Sequence, residues 1–247
     1  MATREFKKLF NNISPDYPKS PFLMHNILSM SVKKDDIILD FFAGYGTTAA
    51  STFSFNEKFN HEVRFITVQL PEPCDKKSDE YKAGFKTISD VCKERIRRAG
   101  NKVDKENLDT GFKVFKLDSS NIKPWDADFD NLEDMIAAAD DSLKKDRTAD
   151  DVLYEILLKY GLDLTLPIEE HILAGKTVHN IGCGALMICL DDEITLDVVN
   201  AIGDLKKELQ PEVMRVVFKD AGFADPVVKT NAIQVLKQFG IDDVKSI

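Results

Sequence analysis

The chain has 247 residues, 43% of them apolar, enough for one large core or two smaller ones without disulfide or metal staples. It contains no run of 18 apolar residues and its first ten residues are charged, which reads against a membrane-spanning helix or a secretory signal and for a soluble, cytoplasmic protein. The formal net charge of −9 reads against tight nonspecific binding to DNA, because that affinity comes from lysines and arginines that displace phosphate counterions.

In chain order, Ser14-Pro15 and Tyr17-Pro18-Lys19-Ser20-Pro21 form a proline-punctuated turn that delivers a short helix over 22–28. Ile37-Ile38-Leu39-Asp40 is an apolar run suited to a buried parallel strand, residues 41–46 form a glycine turn, and Thr47-Thr48-Ala49 opens a helix. RFITVQL at 64–70 predicts the next strand, 78–103 a long helix ending in Arg95, Arg97 and Arg98, and FKVFKL at 112–117 a third strand. This alternation predicts a parallel sheet with helices on its faces.

Beyond Trp125 the composition changes. Residues 125–155 hold eleven Asp and Glu against three basic residues, whereas 75–105 hold ten basic against six acidic, so any nucleic-acid contact belongs to the earlier stretch. The acidic segment, with a helix expected over 133–145, reads as a surface connector and places a domain boundary between 126 and 127. After it come a helix at 151–160, a hairpin with strands near 171–173 and 177–180 around Ala174-Gly175-Lys176, and a strand at 185–190. A helix at 196–208, a strand at 215–219, a helix at 225–239 and a short terminal strand complete a second, smaller α/β unit.

The sharpest local signal is Ile38-Leu39-Asp40-Phe41-Phe42-Ala43-Gly44-Tyr45-Gly46-Thr47-Thr48-Ala49. Gly44 and Gly46 let the backbone turn tightly and approach a ligand, and the helix that follows presents its N-terminus to an anionic group. Gly44-x-Gly46-x-x-Ala49 also satisfies the looser dinucleotide fingerprint, so the pattern alone does not separate a nicotinamide cofactor from S-adenosylmethionine. Two neighbours favour the latter. Asp40 offers a carboxylate that attracts a cationic methionine amine and repels a pyrophosphate, and the end of the second strand carries Gln69 where a ribose-binding acid is wanted for NAD.

Taken together, these segments resemble the modification subunits of Type III restriction systems, which are beta-class adenine-N6 DNA methyltransferases. Tyr17-Pro18-Lys19-Ser20-Pro21-x-Leu23 looks like that family's motif X and DFFAGYGTT at 40–48 like its motif I. RFITVQLPEP at 64–73, YKAGFKTI at 81–88, KERIRRAG at 93–100, GFKVFKLDSSNIKPWD at 111–126, LYEILLKYGLDLTLPIE at 153–169 and KTNAIQVLKQFGI at 229–241 continue the series over almost the whole chain. The resemblance implies a Rossmann-like, S-adenosylmethionine-dependent methyltransferase sheet over 1–126 and a C-terminal α/β unit over 127–247. It also implies that Lys19 and Ser20 lie near the methionine carboxylate, that Asp40, Phe42, Gly44, Gly46 and Thr47 shape the methionine pocket, and that Gln69 lies near the ribose. Asp118 either reaches the cofactor adenine or caps the turn through Ser119 and Asn121. As partners the resemblance implies a second copy and a restriction subunit with helicase and nuclease activity.

One expected element is missing. The family's Asp-Pro-Pro-Tyr loop and target-recognition region precede motif X, whereas here some seventeen residues do, and Asp225-Pro226 is followed by two valines. Without that loop the flipped adenine has no aromatic to stack on, so the expected product is the cofactor-binding C-terminal portion of an adenine-N6 DNA methyltransferase, inactive without its N-terminal half. A non-catalytic cofactor-binding or assembly module and a nicotinamide oxidoreductase are the alternatives. His171, His179, Cys183 and Cys189 fit no common zinc spacing, and the four cysteines, with Cys74 and Cys92, read as reduced thiols. Arg95, Arg97 and Arg98 read as a solvated helix face before a phosphate-binding one, and Trp125 as a packing anchor before a base-stacking platform.

Overall fold

The computed structural model describes residues 2–11, 13, 19–104, 108–123 and 143–247. Tyr17, Pro18, Trp125 and most of the helix expected over 133–145 lie outside the described residues. The chain divides into two compact units, Met1–Val114 and Phe115–Ile247, earlier than the composition shift places the boundary, and the second unit is not the smaller one.

In the first unit, α1 (Ala2–Leu9) precedes α2 (Pro21–Ser31), which starts as its sequence dictates, with Ser20 as N-cap and Pro21 in the first turn. Strand β1 (Ile37–Asp40) leads through the glycine turn into α3 (Thr47–Phe59) and back to β2 (Arg64–Thr67), which pairs parallel to β1 with Leu39 opposite Ile66. Asn56 closes this crossover: buried in α3, it donates to the Val63 carbonyl at 2.8 Å and accepts from the Val63 amide at 3.1 Å. α3 packs between α2 and the last helix, through Phe55 with Leu28 and Val63 on one side and Phe53 with Cys92 and Ile96 on the other.

The single helix expected over 78–103 is two. α4 (Asp79–Lys82) ends before Gly84, whose φ of +99° no helix accommodates, and α5 (Ile88–Gly100) restarts from a Thr87/Asp90 capping box. The third strand expected at 112–117 is not formed among the described residues, and Val114, Phe115 and Leu117 are exposed. Two strands therefore make up the sheet of this unit among the described residues.

The second unit is a five-stranded mixed sheet in sequential order. After α6 (Ala149–Lys159), β3 (Ile168–Leu173) and β4 (Lys176–Ile181) form a hairpin whose two turn residues, Ala174 and Gly175, both have positive φ, and β5 (Leu186–Cys189) continues antiparallel. α7 (Leu196–Leu209), β6 (Arg215–Phe218), α8 (Pro226–Gln238) and β7 (Asp243–Ser246) then add two parallel strands. Period-two alternation sorts the core into two layers: Met187, Cys189, Val216 and Phe218 face α7 and α8, while Leu186, Ile188 and Val217 face α6. No described helix is long and apolar enough to cross a membrane.

Candidate functional site

The chemistry expected at the glycine turn depends on whether its backbone is held open. Asp40 ends β1 and spends one oxygen on the Phe42 amide (3.1 Å) and the other on the Thr48 hydroxyl (2.5 Å), so it ties the start of the turn to the first turn of α3. The Ala43 amide donates to the Val68 carbonyl at 3.1 Å and the Gly44 amide to Gln69 Oε1 at 2.6 Å, which ties the middle of the turn to the end of β2. Gly44 and Gly46 adopt φ of +53° and +73°, which other L-residues rarely do. They differ in surroundings. A Cβ on Gly46 would stand 2.9 Å from Cys92 Sγ, whereas a Cβ on Gly44 would meet only the Phe42 carbonyl at 3.9 Å and project into open space.

Gly46 is also the N-cap of α3, and no side chain caps that helix, the kind of helix start at which an anion can be held. Asp40 and Thr48 line an open groove of about 480 Å³ together with Met24, Leu28, Val32 and Ile38. α2 forms the opposite wall and contacts the loop side through Thr48 Oγ1 and Met24 Sδ at 3.9 Å. Ser20, whose hydroxyl accepts from the Leu23 amide at 3.5 Å, and exposed Lys19 stand at the N-terminus of that helix. Phe42 projects almost fully into solvent at 86% exposure.

The structure thus gathers Asp40, Phe42, Gly44, Gly46, Thr47 and Gln69 around one turn and sets Lys19 and Ser20 just ahead of the neighbouring helix. Asp118 belongs to the second unit. Its carboxylate accepts from Arg147 at 3.2 Å and from the Ser119 amide at 2.7 Å, and these contacts, the arginine first, hold it at about pKa 2.

Sequence reasoning missed Arg95. It is not on a solvated face but 3% exposed, and its Nη1 donates to Thr47 Oγ1 at 2.7 Å and to the Tyr45 carbonyl at 3.3 Å. The signal was present: Val91, Cys92, Arg95 and Ile96 share one helical stripe, and an arginine within an apolar stripe is a buried arginine. Arg97 and Arg98 do pair with Glu94, and Arg98 also reaches the Leu9 carbonyl at 2.9 Å.

A strand, a glycine turn, an uncapped helix start and an acid at the strand end make up an α/β layer of the methyltransferase-like kind, and residues 7–69 match the DNA methylase family model. The Mod subunit of the Type III restriction-modification enzyme EcoP15I from Escherichia coli is 34% identical over 228 residues, 90% of this chain and 34% of that protein. The EcoPI Mod subunit from Escherichia phage P1 is 29% identical over 206 residues (81% of this chain, 31% of that protein), and the Type II methyltransferase M.KpnI from Klebsiella pneumoniae is 36% identical over 95 residues (38% and 23%). The chain spans about a third of the length of the Mod subunits it matches. Over most of its length the chain is thus similar to the Type III Mod subunits and has the character of a Mod-like methyltransferase portion.

Proposed function

We propose that this chain holds S-adenosylmethionine for adenine-N6 methylation of DNA and depends on a second polypeptide segment for the acceptor loop and sequence recognition. The observation that carries the reading is the turn between Asp40 and Thr48. Both carboxylate oxygens of Asp40 are oriented by neutral donors, which leaves lone pairs for a cationic amine. The α3 amides and Ser20 with Lys19 supply positive ends for the methionine carboxylate. Gly44 keeps free the space that a side chain would fill. Gln69 gives its carbonyl to the Gly44 amide and one amide proton to the Leu70 carbonyl, so a ribose hydroxyl would meet its remaining proton. When bound, S-adenosylmethionine supplies the electrophilic methyl group; this chain's residues bind and orient it. Asp118 is assigned to turn capping, because Arg147 and Ser119 already satisfy it.

A second segment is supported by the sheet. Ile37, Leu39 and Ile66 lie on one face, Phe41, Val68 and Leu70 prolong it, and each is half or more exposed. Parallel strands are ordinarily covered on both faces, and the Mod relatives extend well beyond this chain. The uncovered face is where an N-terminal catalytic and recognition half would pack. The second unit serves assembly, with a second copy or a restriction subunit as partner, in a cytoplasmic enzyme.

Titration calorimetry against S-adenosylmethionine and NAD tests the cofactor: heat with the first and none with the second is expected, and the reverse rejects the reading. The chain alone is expected to leave DNA free of N6-methyladenine and to bind it weakly, with loss at modest salt. Methylation by the chain alone would overturn the dependence on a second segment.

A further inference from the structure

A buried arginine needs a reason, because taking a guanidinium out of water is costly unless it is paired. Among the described residues Arg95 has no carboxylate within ion-pairing distance. Its partners are the Thr47 hydroxyl, the Tyr45 carbonyl and the face of Phe6, whose ring centre lies 5.3 Å from the guanidinium carbon. Burial pulls its pKa down to about 10, still far above neutrality, so it remains a cation at the back of the glycine turn.

The geometry fixes what this cation does. A peptide plane carries its carbonyl and its amide on opposite sides. With the Tyr45 carbonyl drawn toward Arg95, the Gly46 amide of the same plane points the other way, where it donates to the Ala43 carbonyl at 2.7 Å. Rotating that plane would break both bonds. The second contact fixes the Thr47 side chain at the first residue of α3, next to Thr48, which holds Asp40.

The arginine is itself held from behind. Phe6 of α1 and Phe10 just beyond it stack at 4.4 Å, Phe6 meets the Tyr45 ring edge-on at 5.7 Å, and Arg98 lies over Phe10 at 4.6 Å. We propose that Arg95 is a positioning residue that fixes the glycine turn for its ligand, and that α1, through Phe6, seats Arg95 there. This rests on the cofactor reading given above for the choice of ligand, and not for the order of the turn.

The test uses the full chain with Arg95→Met, Arg95→Lys, Phe6→Leu and, as a core control that does not touch the turn, Val63→Ala. Amide hydrogen exchange and S-adenosylmethionine affinity are measured well below each variant's Tm. Arg95→Met is expected to speed exchange across residues 44–48 and to weaken binding about tenfold, as losing a charge-assisted buried hydrogen bond does. Arg95→Lys should recover part of both, and Phe6→Leu should shift both in the direction of Arg95→Met. Val63→Ala should lower Tm and leave the turn and the affinity unchanged. Native exchange at 44–48 in Arg95→Met, or equal loosening in Val63→Ala, overturns the proposal. If Arg95→Met does not fold, Arg95→Lys and Phe6→Leu against Val63→Ala decide by the same readouts. If the unaltered chain binds no S-adenosylmethionine, the cofactor reading fails and the exchange data alone still judge Arg95.

Discussion

At the scale of single residues the two glycines of the turn do different work, and substitution separates them. Gly46→Ala puts a Cβ on left-handed backbone and within 2.9 Å of Cys92 Sγ, and should destabilise the first unit by roughly 2–4 kcal/mol in urea unfolding. Gly44→Ala meets no close protein atom and should cost only about 1 kcal/mol while impairing S-adenosylmethionine binding, because its methyl enters ligand space. Equal stability losses in the two variants would contradict this division. The sequence showed both glycines but not their division of labour, since Cys92 is brought to Gly46 by packing from 46 positions away. The contacts of Asp40 are local by comparison, with Phe42 and Thr48 two and eight positions along the chain. Gln69 was read as a ribose contact, yet its carbonyl is already engaged by the Gly44 amide, a bond visible only once β1 and β2 are side by side.

At the scale of elements, β1, α3, β2 and all the strands and helices from α6 onward follow from periodicity and turn residues, because each carries its own local pattern. The exceptions have physical causes. α1 was not expected because a helix of eight residues, ATREFKKL, gives too short an apolar stripe, and it is anchored by Phe6 and the following Phe10 against Tyr45 and Phe85. FKVFKL has strand-like alternation, but alternation does not by itself build a ladder, and among the described residues 112–117 form none. Where that segment ends, Glu155 of α6 supplies a staple that no local pattern announces. Burial alone would raise its pKa, but bonds from Ser120 Oγ (2.5 Å), Lys159 and the Asn121 amide (2.6 Å) outweigh it and hold the carboxyl at about 2, below its ordinary 4.5. A carboxyl depressed in the folded state stabilises it fully above the unfolded value and loses that contribution as pH falls through the folded one. The second unit should therefore weaken between about pH 4.5 and 2, and Glu155→Gln should flatten that part of the acid-unfolding curve while costing roughly 1–3 kcal/mol at neutral pH. An unchanged acid profile in Glu155→Gln would remove Glu155 from the account.

At the scale of the whole molecule the two units are unequally finished, and their stabilities should differ accordingly. In the second unit the central strands β5 and β6 are buried on both faces, by α6 on one side and by α7 with α8 on the other, with Leu186, Met187, Ile188, Val216 and Val217 all out of contact with water. In the first unit α3 covers one face of β1 and β2, while Ile37, Leu39, Ile66 and their neighbours leave the other in water. Apolar side chains left in water contribute none of the roughly 25 cal/mol per Å² that burial supplies, so the first unit lacks stabilisation that the second has. Scanning calorimetry of the full chain should give two transitions. Residues 115–247 expressed alone should fold and reproduce the upper one. A dye that fluoresces on exposed apolar surface should bind the full chain below the first transition and leave residues 115–247 dark. Supplying a segment that covers the sheet face should raise the lower transition and displace the dye. A single cooperative transition of the full chain, or a 115–247 segment that does not fold by itself, would mean that the units stabilise each other and that the open sheet face is not what limits the first.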